Sequence, residues 1–177
     1  MSKINLLRLI FGMFALFFAG RATAAPPAAA KAPVDSSKWY RLTNEFLGTS
    51  RSLDTYSDGG NTPFMDTTSA ATGQLWKFTP LAEGYYRLTN QFLGTKRSLD
   101  TYADEGNAPF MGETGEVTGQ YWKLTPLEGG YFRLTNQFLG AKRSLDTYAD
   151  EENAPFMGET GEATGQAWKL IPVEAEK

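Results

Sequence analysis

The sequence predicts an all-β fold, a β-trefoil made of three four-stranded repeats. Three observations point to it. The chain repeats itself every 46 residues: WYRLTNEFLG starts at Trp39, YYRLTNQFLG at Tyr85 and YFRLTNQFLG at Tyr131. Each copy holds short runs of alternating apolar and polar residues, punctuated by Gly, Asn, Asp and Pro, which is the pattern of half-buried strands and turns. Each copy also carries Gln-x-Trp, ending at Trp76, Trp122 and Trp168. Four strands in each of three copies suit a six-stranded barrel closed at one end by three hairpins, and closure removes exposed strand edges. Three blades are too few for a propeller, and a solenoid would need capping repeats that the sequence does not contain.

The middle copy illustrates the elements. Tyr85 to Asn90 alternates, with Tyr86 and Leu88 on one face and Arg87 and Thr89 on the other. Gly94-Thr95-Lys96 makes a turn. Ser98 to Tyr102 is the second strand, followed by the turn cluster Asp104-Glu105-Gly106-Asn107. Pro109 to Gly112 is a short third strand, Glu113 to Gly119 a loop, and Gln120 to Leu127 a fourth strand with Trp122 and Leu124 on one face. The repeats run 39–84, 85–130 and 131–176 and form one domain, 39–177. No single copy is long enough to bury its own apolar face. Leu42, Leu88, Leu134, Leu53, Leu99, Leu145, the three Gln-x-Trp tryptophans, Phe78, Leu124 and Leu170 are the expected core.

Residues 1–24 read as a secretory signal peptide. Lys3 and Arg8 give a basic start, Leu9 to Ala19 an apolar run, and Ala22-Thr23-Ala24 a small-residue cleavage site. The apolar run is shorter than the roughly 20 residues that span a bilayer, so no stable membrane insertion is expected after cleavage. Residues 25–38, rich in Pro and Ala, read as an extended linker. The expected location is secreted or periplasmic.

Composition excludes several chemistries. There is no cysteine and no histidine, which removes Cys/His zinc sites and Ser-His-Asp or Cys-His nucleophile systems. The formal charge is −3, and the leader holds bases but no acid, so the remainder is more acidic still. An acidic domain without a basic run is a poor partner for nucleic acid. The Asp-rich turns do not keep EF-hand spacing, and no metal or cofactor is expected. Aromatic residues make up 14% of the chain, which favours strands packed around Trp, Phe and Tyr.

The ordered set YRLTN, SLD, Gly-Asn and Gln-x-Trp resembles the ricin B-type lectin family of β-trefoils over the whole chain after the linker. The resemblance implies carbohydrate binding. In that family the aspartate aligned with Asp54, Asp100 and Asp146 accepts hydrogen bonds from sugar hydroxyls. The glutamine of Gln-x-Trp, here Gln74, Gln120 and Gln166, ties turns to the barrel. Each aspartate follows an apolar Leu in a strand, so with the Leu inward the carboxylate points outward. The plainer reading is a turn-capping aspartate, or one paired with Arg51, Arg97 or Arg143 just upstream. Tyr56, Tyr102 and Tyr148 stand two residues on, on the same strand face, where a ring can stack on the apolar face of a sugar. Equally, those rings can pack on Phe64, Phe110 and Phe156. Asn61, Asn107 and Asn153 can add an amide to the site, or serve the turn alone.

The chain departs from the family pattern twice. The usual stacking aromatic falls at Asp66, Gly112 and Gly158, and the Asn before the Gln-x-Trp glutamine is Gly73, Gly119 and Gly165. The tyrosine beside each aspartate is therefore the expected ring. The functional expectation is a lectin-like module with up to three equivalent shallow sites. The alternative is a protein-binding β-trefoil, an inhibitor or toxin-associated subunit, using exposed loops such as Phe46-Leu47, Phe92-Leu93 and Phe138-Leu139. An enzyme is not expected, because acids on three separate lobes do not face one another across a cleft.

Overall fold

The computed structural model describes residues 33–55, 62–101, 108–148 and 153–174. The expected signal peptide lies outside the described residues. The first repeat contributes β1 (Trp39–Asn44), β2 (Arg51–Thr55), β3 (Pro63–Thr67) and β4 (Trp76–Pro80). The second contributes β5 (Tyr85–Asn90), β6 (Arg97–Thr101), β7 (Pro109–Glu113) and β8 (Trp122–Pro126). The third contributes β9 (Phe132–Asn136), β10 (Arg143–Thr147), β11 (Pro155–Glu159) and β12 (Trp168–Val173). First and fourth strands form a closed barrel in the order β1-β12-β9-β8-β5-β4, and the middle strands form the hairpins β2–β3, β6–β7 and β10–β11. The arrangement is the expected β-trefoil. Closure leaves the barrel no open edge and joins its two ends directly, β1 pairing with β12 from Trp39↔Val173 to Asn44↔Trp168.

Alternation drives each strand to its place. Leu42, Leu88 and Leu134 from the barrel, Leu53, Leu99 and Leu145 from the hairpins, Phe78 and the three tryptophans are wholly buried. Leu124 is buried as well, and Leu170 packs against the core half-buried. Each indole Nε1–H donates to a carbonyl of its own hairpin at 2.8 Å: Trp76 to Leu53, Trp122 to Leu99 and Trp168 to Leu145. The tryptophan thus fills the space between barrel and hairpin and satisfies its one polar atom there. Tyr40 meets Phe78 edge-on at 5.7 Å, and Phe78 meets Tyr86 at 6.2 Å.

Neighbouring repeats are stitched by the Asn of Leu-Thr-Asn. Asn136 Nδ2 donates to Thr101 Oγ1 at 2.7 Å and to the Gly119 carbonyl at 3.2 Å, while its Oδ1 accepts the Leu139 N–H. Asn90 reaches Thr55 and Gly73 in the same way, and Asn44 reaches Thr147 and Gly165. Each Asn is fully covered, so its amide has partners on both sides of the seam.

Beyond one-residue shifts at strand ends (β6 opens at Arg97, β7 closes at Glu113 and β8 at Pro126), two boundaries differ from expectation. Gln120 does not open the fourth strand; it closes a single 3-10 turn, Thr118–Gln120, and the strand begins at Trp122. The turn is required because the glutamine side chain reaches back along the loop. The segment expected as linker through residue 38 is already folded at its end. Val34 is buried in the core cluster, the Asp35 N–H donates to Tyr40 Oη at 2.8 Å, and Asp35 Oδ1 accepts from Ser37. Among the described residues no helix is long and apolar enough to cross a membrane.

Candidate functional site

Each hairpin carries the same constellation. Register pairs the aspartate with a phenylalanine on the opposite strand: Asp54↔Phe64, Asp100↔Phe110 and Asp146↔Phe156. The Gln-x-Trp turn folds over this pair. Gln120 Oε1 accepts the Gly115 N–H, while its Nε2 donates to the Glu113 carbonyl at 2.7 Å and to Asp100 Oδ2 at 3.0 Å. Gln166 repeats this on Gly161, Glu159 and Asp146. Gln74 holds Ser69 and Thr67 and bonds Asp54. The tying role implied for the glutamine is therefore met in every repeat.

The aspartates do not point outward. Asp54, Asp100 and Asp146 are only 5%, 8% and 7% exposed, although the Leu before each is buried too. Alternation implies one solvated face, but here both faces are covered, one by the core and the other by the Gln-x-Trp turn. The first oxygen of each carboxylate accepts the next backbone N–H, at 2.7 Å from Thr55 and 2.8 Å from Thr101 and Thr147. Arg51, Arg97 and Arg143 instead donate to the carbonyls of Met65, Met111 and Met157.

The glycines that break the family pattern make room for this arrangement. A Cβ on Gly73, Gly119 or Gly165 would lie 2.0, 2.0 or 2.1 Å from the Oδ1 of Asp54, Asp100 or Asp146. A Cβ on Gly112 would meet Asp100 Oδ2 at 2.9 Å and the Phe110 ring at 3.0 Å, and Gly158 is similarly placed in the third repeat. The phenylalanine two residues earlier on the same strand face leans over the bare glycine and sits beside the carboxylate. It is half-buried in all three repeats. Sequence reasoning treated Phe64, Phe110 and Phe156 only as packing partners. The signal that could have found them is the hairpin register, which sets Asp and Phe opposite one another.

In the first repeat the glycine is Asp66. Burial pushes the Asp54 carboxyl above its ordinary range, against the pull of the Thr55 N–H and the Gln74 amide, and the Asp66 charge adds to the rise.

Of the expected tyrosines and asparagines, Tyr56, Asn61, Tyr102 and Asn107 lie outside the described residues. Tyr148 is exposed and stacks flat on Phe156, centroids 3.9 Å apart at 9°. It therefore packs on the phenylalanine, the plainer of its two expectations, and stays open to solvent. Asn153 has φ +49°, a left-handed turn geometry that Asn tolerates. Of the paired Phe-Leu loops, Phe46, Phe92 and Phe138 are 46%, 49% and 47% exposed, whereas Leu47, Leu93 and Leu139 pack on the core.

No family model matches the chain, and no curated protein does. Solved structures do. A designed 3-fold symmetric protein, ThreeFoil, superposes at TM-score 0.67 with 22% identity, over 76% of this chain and 99% of its own. An exo-β-1,3-galactanase from Clostridium thermocellum gives TM-score 0.70 and 21% identity over 79% of this chain and 31% of the enzyme. A Polyporus squamosus lectin, bound to the epitope Neu5Aca2-6Galb1-4GlcNAc, gives 0.66 and 14% over 75% of this chain and 48% of the lectin. The chain thus spans about a third of the galactanase and half of the lectin. At these identities the likeness is one of fold: the chain is a β-trefoil, the architecture it shares with the ricin B-type lectins that its Gln-x-Trp repeats resemble.

Proposed function

We propose that this protein is a carbohydrate-binding module with up to three shallow sugar sites, one on each hairpin. It works without a cofactor and without catalysis, outside the cytoplasm, in the compartment to which the leader directs it. The observation that carries the reading is the carboxylate set beside an aromatic ring in every hairpin. A carboxylate offers about four acceptor positions, and the fold uses one on each oxygen of Asp100 and Asp146; the 8% and 7% of these residues left exposed is the part a sugar hydroxyl would have to reach. Gln120 and Gln166 hold those carboxylates in a fixed pose, which lowers the entropy lost on binding. In the third repeat the outer face of Tyr148 supplies a stacking surface, backed by Phe156. One such site binds weakly; three on one body, engaging a polysaccharide or cell surface, raise the apparent affinity by roughly 10² to 10⁴.

A glycan-array screen of the protein beside its Asp54/Asp100/Asp146→Asn variant tests this. The expected result is selective binding that the variant loses while its circular dichroism stays native. No binding to any glycan, with or without calcium, overturns the reading. Unchanged binding in Tyr102→Ala and Tyr148→Ala, with loss in Asp100→Ala, would transfer the stacking role from the tyrosines to Phe110 and its counterparts.

One observation favours a second reading. The exposed Phe46, Phe92 and Phe138 suit protein docking by loops, which predicts that substituting them by Ser abolishes capture of a protein partner and leaves glycan binding alone.

A further inference from the structure

A second threefold set of depressions lies away from the hairpin crevices, on the barrel wall, one at each seam between repeats. Each is framed by the aromatic that precedes the YRLTN tyrosine position, by the x of Gln-x-Trp, and by a residue of the next repeat. In the first groove these are Trp39, Leu75 and Gln91; in the second Tyr85, Tyr121 and Gln137; in the third Tyr131, Ala167 and Glu45. The seam is closed beneath them by the same backbone bond each time, Gln91 N–H to the Leu75 carbonyl, Gln137 to Tyr121 and Glu45 to Ala167, all at 2.9 Å.

The same lysine and arginine positions flank the frame in each copy. Lys77, Lys123 and Lys169 hold their ammonium groups 5.3, 5.7 and 4.7 Å from the rings of Trp39, Tyr85 and Tyr131. Arg41, Arg87 and Arg133 each anchor Nη2 on a loop carbonyl, of Ser69, Gly115 and Gly161 respectively. Each also buries an Nε–H that has no protein partner. An unpaired buried donor is costly, and the same one recurs in every repeat. Carboxylates complete the rim: Glu174 in the first groove, Glu83 and Glu116 in the second, and Glu45, Glu128 and Glu162 in the third.

What differs is volume, and one residue follows it. The volume is about 330 Å³ where x is Tyr121, about 500 Å³ where it is Leu75 and about 710 Å³ where it is Ala167. Tyr121 stands within 5.9 Å of the Arg87 guanidinium and 6.5 Å from the Tyr85 ring. It covers the arginine, which lines the groove in the other two copies.

We propose that the seam grooves are a second set of saccharide subsites, in which Trp39 or Tyr131 stacks on a pyranose ring. Arginine donors and glutamate acceptors meet its hydroxyls, and the x of Gln-x-Trp sets how much ring each groove admits. An aromatic wall with a few convergent polar groups in a space of this size is the make-up of a small-molecule site. Opposite charges in each rim favour a neutral, hydroxyl-rich ligand over a strongly charged one. The inference rests on the carbohydrate reading above but not on the hairpin crevices. It makes the first and third grooves open and the second closed.

The test exchanges residues that the fold already accepts at equivalent positions. Amide, indole and guanidinium nitrogen signals of the ¹⁵N-labelled protein are followed while galactose, glucose, mannose and N-acetylglucosamine are titrated in turn. The expected result is movement of Trp39 Nε1–H, and of Arg133 and the Glu45 amide, with little at Gln137. Ala167→Tyr should weaken the third-groove response roughly tenfold. Tyr121→Ala should create a response at Arg87 and Gln137 that the parent lacks. Movement confined to Gly112, Gly119 and their counterparts, unaltered by either exchange, overturns the grooves and leaves the hairpin sites standing. No movement at either place, with each of the four sugars, overturns both.

Discussion

Gly119 and Asp100 occupy one crevice: a Cβ on the glycine would stand 2.0 Å from the carboxylate Oδ1. The absence of a side chain at 119 and the burial of the acid at 100 are thus a single feature. Gly119→Ala should expel the carboxylate from its bonds with Thr101 and Gln120 and cost about 2–3 kcal/mol, read as a fall in the denaturation midpoint. Gly158→Ala, whose Cβ would be 3.1 Å from Asp146 Oδ2 and from the Phe156 ring, should cost clearly less. The reverse order would refute the account of the crevice.

Trp122→Phe removes the bond to the Leu99 carbonyl and leaves a void in a wholly buried position. A loss of roughly 2–4 kcal/mol is expected by urea titration. Trp76→Phe and Trp168→Phe should match it closely, since the three indoles have the same partner geometry.

Asp66→Asn should stabilise the fold at neutral pH. Burial, then the Asp66 charge, raise the Asp54 carboxyl above its unfolded value, so the folded state prefers the protonated acid. The stability linked to Asp54 is full below that unfolded value and is lost as pH rises through the folded one. Removing the neighbouring charge lowers the folded value and recovers part of the loss, roughly 0.2–1 kcal/mol, while the amide oxygen can keep the Thr67 N–H bond. The gain should fade as acid is added. A gain that grows on acidification contradicts the assignment.

Asn136→Ala should cost about 1–3 kcal/mol, because Thr101 Oγ1 and the Gly119 carbonyl lose a donor inside the seam. Hydrogen exchange should show faster opening of residues on both sides of that seam, in repeats two and three together.

Strands were legible because alternation in YRLTN and in the residues after Gln-x-Trp reports a barrel wall with one wet face. The same logic failed for Asp54, Asp100 and Asp146, where a turn more than a dozen residues ahead in sequence covers the second face. Nothing local announces that cover. The role of Asn44, Asn90 and Asn136 was equally hidden, since their partners belong to another repeat. The Phe-Asp pairing could have been read from hairpin register. The seam grooves could not, because each draws its walls from all three copies.

The asparagine stitch bears on how such a chain can arise. A polypeptide holding one repeat would carry Asn90 with no Thr55 to receive it, and Thr101 with no Asn136. Its apolar face and its seam donors are both satisfied when three copies meet in a ring. A homotrimer of such a peptide would satisfy both, and fusion of three copies into one chain would turn an association that depends on concentration into one that does not.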